Sequence, residues 1–558
     1  MMRFPKHFAH LQFFGYPFFI CAAGLIAFGL SAAFVFPIAQ PPAKSQPNIL
    51  WITCEDMSSH LGSFGEKVAK TPNLDQLAKE GVRYTNVFST AGVCAPSRSA
   101  IITGMYQTSI GTQHMRTLQT PASQQYSPVP SYSALLPAQV RCFPEYLRKA
   151  GYYCTNNEKQ DYQFIAPVTV WDENSNKADW RGRKDKNQPF FSIINLLTTH
   201  ESQVFMRDKE PLQIKPEEVE VPSYYPDNAI IRKDIARFLT NVQIMDKQVG
   251  DILQKLKDDG LYDNTLIFFY SDHGDGLPFV KRELYDRGLK VPMIIRFPQG
   301  EKSGTVDEQL ISFVDLAPTV LSLANIPLPS YLQGQAFLGN QRAKTPRKYI
   351  YAARDRMDTE VDRVRAVSDG RYKYLKNYMP EKPYYQDIKY RLGQNSMKEI
   401  LRLKEEGGLN EKQQYWFRKT KPDEELFDTQ TDPDEYKNLA NDPAYKAKLT
   451  ELRNKHLEWT KKYGDMGAMP EKEMLAKWWK GQDKAPMTKP AAFTVNGTKV
   501  TLHCDTPGAS IGYKKHGSDK VWQVYSRPLT VAKGDSLYVV AHRIGYVPAE
   551  VMRLKIPN

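Results

Sequence analysis

Cys94-Ala95-Pro96-Ser97-Arg98, running on through Ser99-Ala100-Ile101-Ile102 to Thr103-Gly104, is the stretch on which the reading of this chain turns. Proline is tolerated in the first turn of a helix, where its missing N–H leaves no bond unmade, and is disfavoured in later turns. Pro96 therefore predicts a helix with Cys94 at or just before its N-terminus and Ser99 to Ile102 as its interior. A helix N-terminus presents unpaired N–H groups and the positive end of the dipole, so an anion beside residue 94 is favoured. Arg98, about one turn further on, adds a fixed cation on the same side. Against this functional reading stands a plainer one, in which Cys94 is a small buried residue at a helix start. A cysteine phosphatase fits neither, because its anion loop needs the arginine later than Arg98 stands.

Outward from this helix, three apolar runs end in polar residues, the pattern of an open sheet that presents a site at its carboxyl edge. Ile49 to Thr53 runs into Glu55-Asp56, Phe190 to Leu196 into His200, and Leu266 to Tyr270 into Asp272-His273. A fourth run, Val291 to Ile295, is instead preceded by Lys290. Helices that cover the sheet are expected from Thr71-Pro72-Asn73 to Gly81, and along the apolar stripe Ile235, Phe238, Leu239, Val242, Met245, Val249, Ile252, Leu253 and Leu256. Alternating strands and helices imply an α/β fold. The main domain is expected over residues 47–345. A smaller α+β subdomain over 346–480 opens with a hairpin from Arg365 to Tyr374 and continues as a charged helical stretch to Lys480. The polar segment Gly481–Lys489 reads as a linker. Beyond it, short runs (Lys499–His503, Val521–Tyr525, Ser536–His542) predict a β-sandwich module over 490–558, which either folds separately and modulates polymer contact or caps apolar surface of the main domain.

The 558 residues are 41% hydrophobic and 25% charged, with a formal net charge of +13 and a pI of about 9.1. That sign attracts polyanions. The lysines and arginines are spread along the chain, without a basic run interleaved with aromatics or zinc-finger spacing, so a nucleic-acid partner is not expected, whereas a sulfated polysaccharide fits. Met1–Gln40 pairs Arg3 and Lys6 with an apolar run from Phe18 to Ile38, an export signal or signal anchor, so the expected location is periplasmic or secreted, with membrane anchoring open. The six cysteines make no CxxC pair; Cys142 and Cys154 either pair after export or stay buried thiols.

The ordered motifs Asn48-Ile49-Leu50 to Glu55-Asp56, Thr71 to Asp75, Cys94 to Thr103-Gly104, Ser271-Asp272-His273-Gly274, Phe313 to Thr319, and Leu426-Phe427-Asp428 to Asp432-Pro433 resemble type I sulfatases of the alkaline-phosphatase-like superfamily, over roughly residues 47–445. The resemblance implies a mixed sheet flanked by helices, with the smaller subdomain and the β-sandwich appended. It implies that a maturation enzyme oxidises Cys94 to formylglycine, whose hydrate is the nucleophile. It places a divalent cation, usually calcium, on Glu55, Asp56, Asp272, His273 and residue 94; Glu55 stands where aspartate is commoner and His273 where asparagine is also frequent, which leaves magnesium and manganese open. Arg98, Lys159 and Lys290 take the sulfate-binding positions, with Lys281 and Arg282 competing for the role of Lys290. Asp161 stands where the family often has histidine. His200 falls at the leaving-group acid and Asp272 at the proton acceptor.

Thr112 to Arg116 and Arg354 to Asp358 look like stretches of the branch that holds N-sulfoglucosamine sulfohydrolases and polysaccharide-active bacterial enzymes, which makes His114, Arg116 and Arg354 candidates for substrate binding. The implied activity is sulfate-ester hydrolysis on a polysaccharide such as ulvan or a heparan-like glycan, with N-sulfate also open. Phosphonate or phosphate-ester hydrolysis and a catalytically dead glycan-binding protein are the alternatives.

Overall fold

The computed structural model describes residues 46–119, 128–532 and 534–556. The export segment therefore lies outside the described residues. Among the described residues the main sheet is built from β1 (Asn48–Cys54), β2 (Val82–Phe88), β3 (Tyr153–Asn157), β4 (Glu173–Asn174), β5 (Phe190–Leu196), β6 (Thr265–Ser271), β7 (Lys290–Arg296), β8 (Thr305–Asp307) and β9 (Ile311–Ser312). Their order is β4-β3-β5-β1-β6-β7-β2-β8, with β9 beside β2. All pairings are parallel except those of β7, which runs against both β6 and β2. The sheet is thus mixed. Lys290, at the amino end of β7, lies at the same edge as the carboxyl end of β6 for that reason.

β1, β5 and β6 are buried along their whole length, as expected for central strands covered on both faces. Side chains alternate between two cores. Leu50, Ile52 and Cys54 join one with Val242, Met245, Val249 and Leu256 of the thirty-residue helix Ala229–Asp258. Ile49 and Trp51 join the other, where the Trp51 ring lies 5.1 Å from Phe191 and 5.5 Å from Tyr270. Asn228 caps the long helix by accepting from the N–H groups of Ile230 and Ile231, both at 3.1 Å. The helix Cys94–Thr103 begins where Pro96 requires, is buried at all ten positions, and stops at Gly104 in the left-handed region (φ 67°).

β10 (Ile350–Arg354), β11 (Val364–Ser368), β12 (Tyr372–Asn377) and β13 (Glu424–Asp428) form a second, antiparallel sheet. β13 corrects the sequence expectation of unbroken helix to Lys480. Its Glu424-Glu425 start reads as helical, but Glu425 is buried, with Tyr384 donating to it at 2.7 Å and Asn377 at 2.8 Å. Helices Asn395–Glu405, Lys446–Tyr463 and Glu471–Trp478 surround this sheet.

β14 (Ala492–Asn496), β15 (Lys499–His503), β16 (Ser510–Lys514), β17 (Gln523–Val524), β18 (Leu529–Thr530), β19 (Ser536–His542) and β20 (Met552–Lys555) make two further sheets, β14-β15-β18 and β17-β16-β19-β20, around Val500, Leu537, Val539 and Ile556. This module is seated on the main domain. Ile544 is buried in the main core, the Arg543 guanidinium donates to the Leu136 carbonyl, and Arg148 donates to the Trp522 carbonyl at 2.6 Å. Gly508 lies so close to Ala138 that a Cβ there would come within 2.3 Å of its carbonyl oxygen. The segment read as a linker is tied down too, with the Thr488 N–H donating to the Val547 carbonyl at 2.9 Å.

Candidate active site

The carboxyl ends of β1, β5 and β6 meet the N-terminus of Cys94–Thr103, and the residues beyond each strand fold into one buried charged cluster. Asp56 takes a left-handed conformation (φ 51°), a costly state for a non-glycine residue that fixes its carboxylate under the strand end. Its N–H donates to Asp272 Oδ1 at 3.1 Å, and its Oδ2 accepts from the Glu201 N–H at 2.7 Å and from the Lys281 ammonium. Burial works to raise the Asp56 pKa, but the charges of Lys281, His200 and His273 outweigh it and hold the carboxyl well below its usual range. Burial likewise works against ionisation of Asp272, and the charges of His273 and Arg98 overcome it and hold the carboxyl below its usual range.

His273 Nδ1 lies 2.9 Å from the Gly274 carbonyl, which can only accept, so that nitrogen carries the proton. The other nitrogen, Nε2, faces Asp56 Oδ1 at 3.0 Å and Asp272 Oδ1 at 3.7 Å. Neither Nε2 nor Asp56 Oδ1 makes a hydrogen bond of good geometry among the described residues, though both are buried. Positive charge between them, a proton on Nε2 or a metal ion, offsets the facing carboxylates.

Arg98 is clamped by three acceptors: Asp272 Oδ2 at 3.0 Å, Asn195 Oδ1 at 2.7 Å and Glu55 Oε1 at 3.1 Å. Lys159 sits 2.8 Å from Glu55 Oε2 and 3.7 Å from Asp161. His200 holds Ser202 Oγ at 2.8 Å through Nδ1 and points Nε2 toward Glu55 at 3.8 Å; burial and then Lys281 push its pKa down. Cys94 is 3% exposed, and burial drives its thiol pKa up in spite of Lys159 and Lys281, so as a thiol it is neutral and a poor nucleophile.

The Sulfatase family model matches residues 47–326, and the model described as N-sulphoglucosamine sulphohydrolase, C-terminal, matches 274–390. A curated relative, an ulvan-active sulfatase of Formosa agariphila, is 46% identical over 548 residues and covers 91% of each chain. The chain belongs to the sulfatase family. Human N-sulphoglucosamine sulphohydrolase is 25% identical over 494 residues, covering 79% of this sulfatase and 92% of the human chain. A solved structure described as being in complex with its substrate D-glucosamine-2-N,6-O-disulfate shares the fold, with a TM-score of 0.51 and 20% identity over 75% of this sulfatase and 98% of that chain.

Of the residues expected from sequence, Glu55, Asp56, Cys94, Arg98, Lys159, His200, Asp272, His273 and Lys281 come together in this sulfatase. Ligand atoms of Asp56, Asp272 and His273 lie within 4.8 Å of one another, as do those of Glu55, Asp56 and His200. The oxygen-rich set and the orphaned Asp56–His273 pair fit a hard divalent cation. Other expected residues stand apart. Lys290 rests over the Phe88 ring at 5.8 Å and makes no ion pair among the described residues. Lys281, 2% exposed, holds the position in the charge cluster, 3.1 Å from Glu201 Oε1. Arg282 is engaged in a bidentate pair with Glu201 at 2.7 and 3.0 Å. Arg354 is buried against Glu283 at 3.0 Å and Gln386 at 2.7 Å, and His114 is buried with burial pulling its pKa down to about 4. Arg116 pairs with Asp358 and lies 4.7 Å over the Tyr390 ring.

Sequence reasoning missed Asn195 and Glu201. Asn195 receives Arg98 and itself donates to the Asn157 carbonyl at 3.0 Å, so it sets the guanidinium plane. The available signal was a polar residue near the end of the β5 run. Glu201, directly after His200, carries no motif of its own. Gly276 is required here, since a Cβ would lie 2.9 Å from both Asp56 Oδ2 and Glu201 Cα.

Proposed function

We propose that this sulfatase is exported and removes sulfate esters from a sulfated, uronate-containing polysaccharide of the ulvan type, using Cys94 matured to formylglycine and a bound divalent metal, calcium first among the candidates. The observation that carries the substrate class is the 46% identity to an ulvan-active sulfatase across 91% of both chains. The local chemistry is supported by a cysteine too buried to serve as a thiolate, set beside an orphaned carboxylate–imidazole pair. Glu55, Asp56, Asp272 and His273 would hold the metal.

When present, the metal supplies charge at the sulfate oxygens and the formylglycine supplies a hydroxyl nucleophile at residue 94. The chain's own side chains supply the rest. Arg98 and Lys159, pinned by Glu55, bring positive charge beside residue 94 to offset the sulfate oxygens, without reorganisation during reaction. Asp272, held ionised, accepts a proton. His200 is oriented through Nδ1 by Ser202, so Nε2 delivers the proton to the leaving alcohol. Lys281 keeps Asp56 charged.

The test is sulfate release from ulvan, a heparan-type glycan and defined sulfated oligosaccharides, alongside an aryl sulfate and an aryl phosphate diester. Release from ulvan with negligible diester turnover is expected; preferential diester hydrolysis would place the enzyme among phosphate-ester hydrolases instead.

A further inference from the structure

The helix Cys94–Thr103 has the catalytic residue at one end and an open groove near the other. Ten residues at 1.5 Å each separate the two by about 15 Å. The groove encloses about 320 Å3 between the segment before β10 and the helix Lys446–Tyr463, and its floor is aromatic. Tyr351 and Trp459 stack with centroids 5.1 Å apart and planes within 12°, and Tyr106 stands edge-on to Trp459 at 5.3 Å. Trp459 is 3% exposed, and its indole N–H, a donor that can never accept, has no hydrogen-bond partner among the described residues. A buried donor without an acceptor costs free energy unless something arrives to take its proton.

The rim is basic. Arg342, Lys344, Arg347 and Lys348 follow one another without an acidic residue between them, and Lys461-Lys462 end the facing helix. Arg347 is consumed by a buried pair with Asp315, and the acidic lining residue Glu458 is paired with Lys455 at 2.8 Å. Lys348 and Lys462 are exposed and make no ion pair among the described residues. Catalysis uses none of these groups.

We infer that this groove is a second binding site for the anionic glycan, holding a stretch of polysaccharide remote from the sugar being desulfated. The inference rests on the polysaccharide reading above. The part-exposed rings of Tyr349, Tyr351 and Tyr463 suit the apolar faces of sugars, an N–H donor suits a hydroxyl, carboxylate or sulfate oxygen, and Lys348 and Lys462 suit the repeating charges. A polymer that occupies both sites stays at high local concentration around the catalytic one, so the groove acts on KM for polymer and is silent for small substrates.

The test uses the full chain carrying Cys94→Ala for binding and the matured enzyme for turnover. In affinity electrophoresis, ulvan and heparin should retard the protein while neutral dextran should not, and the Lys348→Glu/Lys462→Glu double variant should bind about tenfold more weakly. Trp459→Phe, which keeps the ring and deletes the donor, should weaken binding less. In turnover, both variants should match the parent on an aryl sulfate and show a raised KM on ulvan. Retardation and polymer KM equal to the parent's would overturn the inference, as would absence of retardation of the parent. A change of oligomeric state with unaltered glycan binding would also overturn it, by assigning the face to a second copy. Failure of the parent to release sulfate from ulvan, with retardation intact and groove-dependent, would strike the substrate reading alone.

Discussion

Lys281→Met keeps the length and removes the charge of a side chain that is 2% exposed between Asp56 and Glu201. Removing one partner of a buried ion pair leaves the other charge uncompensated, at a cost of about 3–5 kcal/mol. Glu201 retains the Arg282 fork at 2.7 and 3.0 Å, and Asp56 retains the Glu201 N–H at 2.7 Å. The cost therefore falls at the lower end, about 3 kcal/mol. Lys290→Met is the control: its partner is one ring at 5.8 Å, for which about 1 kcal/mol or less is expected. The assay is guanidinium unfolding of both variants under chelation, followed by kcat/KM on an aryl sulfate after metal is restored. Turnover of Lys281→Met should fall about 100-fold or more, while Lys290→Met stays near the parent. The pH dependence has a sign. Asp56 is depressed below 3.8, so its contribution is complete above that pH and fades as pH falls through the lower folded value. The deficit of Lys281→Met should shrink accordingly in strong acid. Equal effects of the two lysines, or a larger effect of Lys290, would show that Lys281 is not the cation on which the cluster depends.

Three further outcomes are expected. Gly276→Ala should reduce bound divalent metal and turnover together with an unchanged circular dichroism spectrum, because its Cβ would crowd Asp56 Oδ2 at 2.9 Å; metal analysis beside kinetics checks this. His200→Ala should cost about 100-fold or more on a sugar sulfate and far less on 4-nitrophenyl sulfate, whose leaving group needs no proton, and a leaving-group series checks it. His114 and His456 are both pulled down to about 4 by burial from 6.5, so they fold neutral and charge on unfolding. Stability from these groups is complete above pH 6.5 and is lost between 6.5 and 4; His114→Gln should flatten that limb in denaturation measured against pH.

What could be read in advance was whatever rests on local pattern. β5 was legible because Phe190 to Leu196 is buried on both faces and so forms an apolar run broken only by Ser192 and Asn195, and the start of the helix Cys94–Thr103 was legible because Pro96 fits only a first turn. Which lysine joins the site was not, since it depends on β7 running antiparallel and on the path of the chain from Gly274 to Lys290. β13 was missed because Glu424-Glu425 looks solvent-facing until Tyr384 and Asn377, distant in sequence, arrive to satisfy Glu425. The seating of the C-terminal module depends on Arg543 finding a backbone carbonyl some four hundred residues earlier, a contact no local pattern encodes.

A modified Cys94, and not its thiol, is expected to carry the reaction. Preparations with graded fractions of formylglycine at residue 94, quantified by mass spectrometry of the Cys94 peptide, should give sulfate-release rates proportional to that fraction and passing through zero, with Cys94→Ala inactive and folded. A preparation holding only the unmodified thiol, yet releasing sulfate at the parent rate, would contradict it.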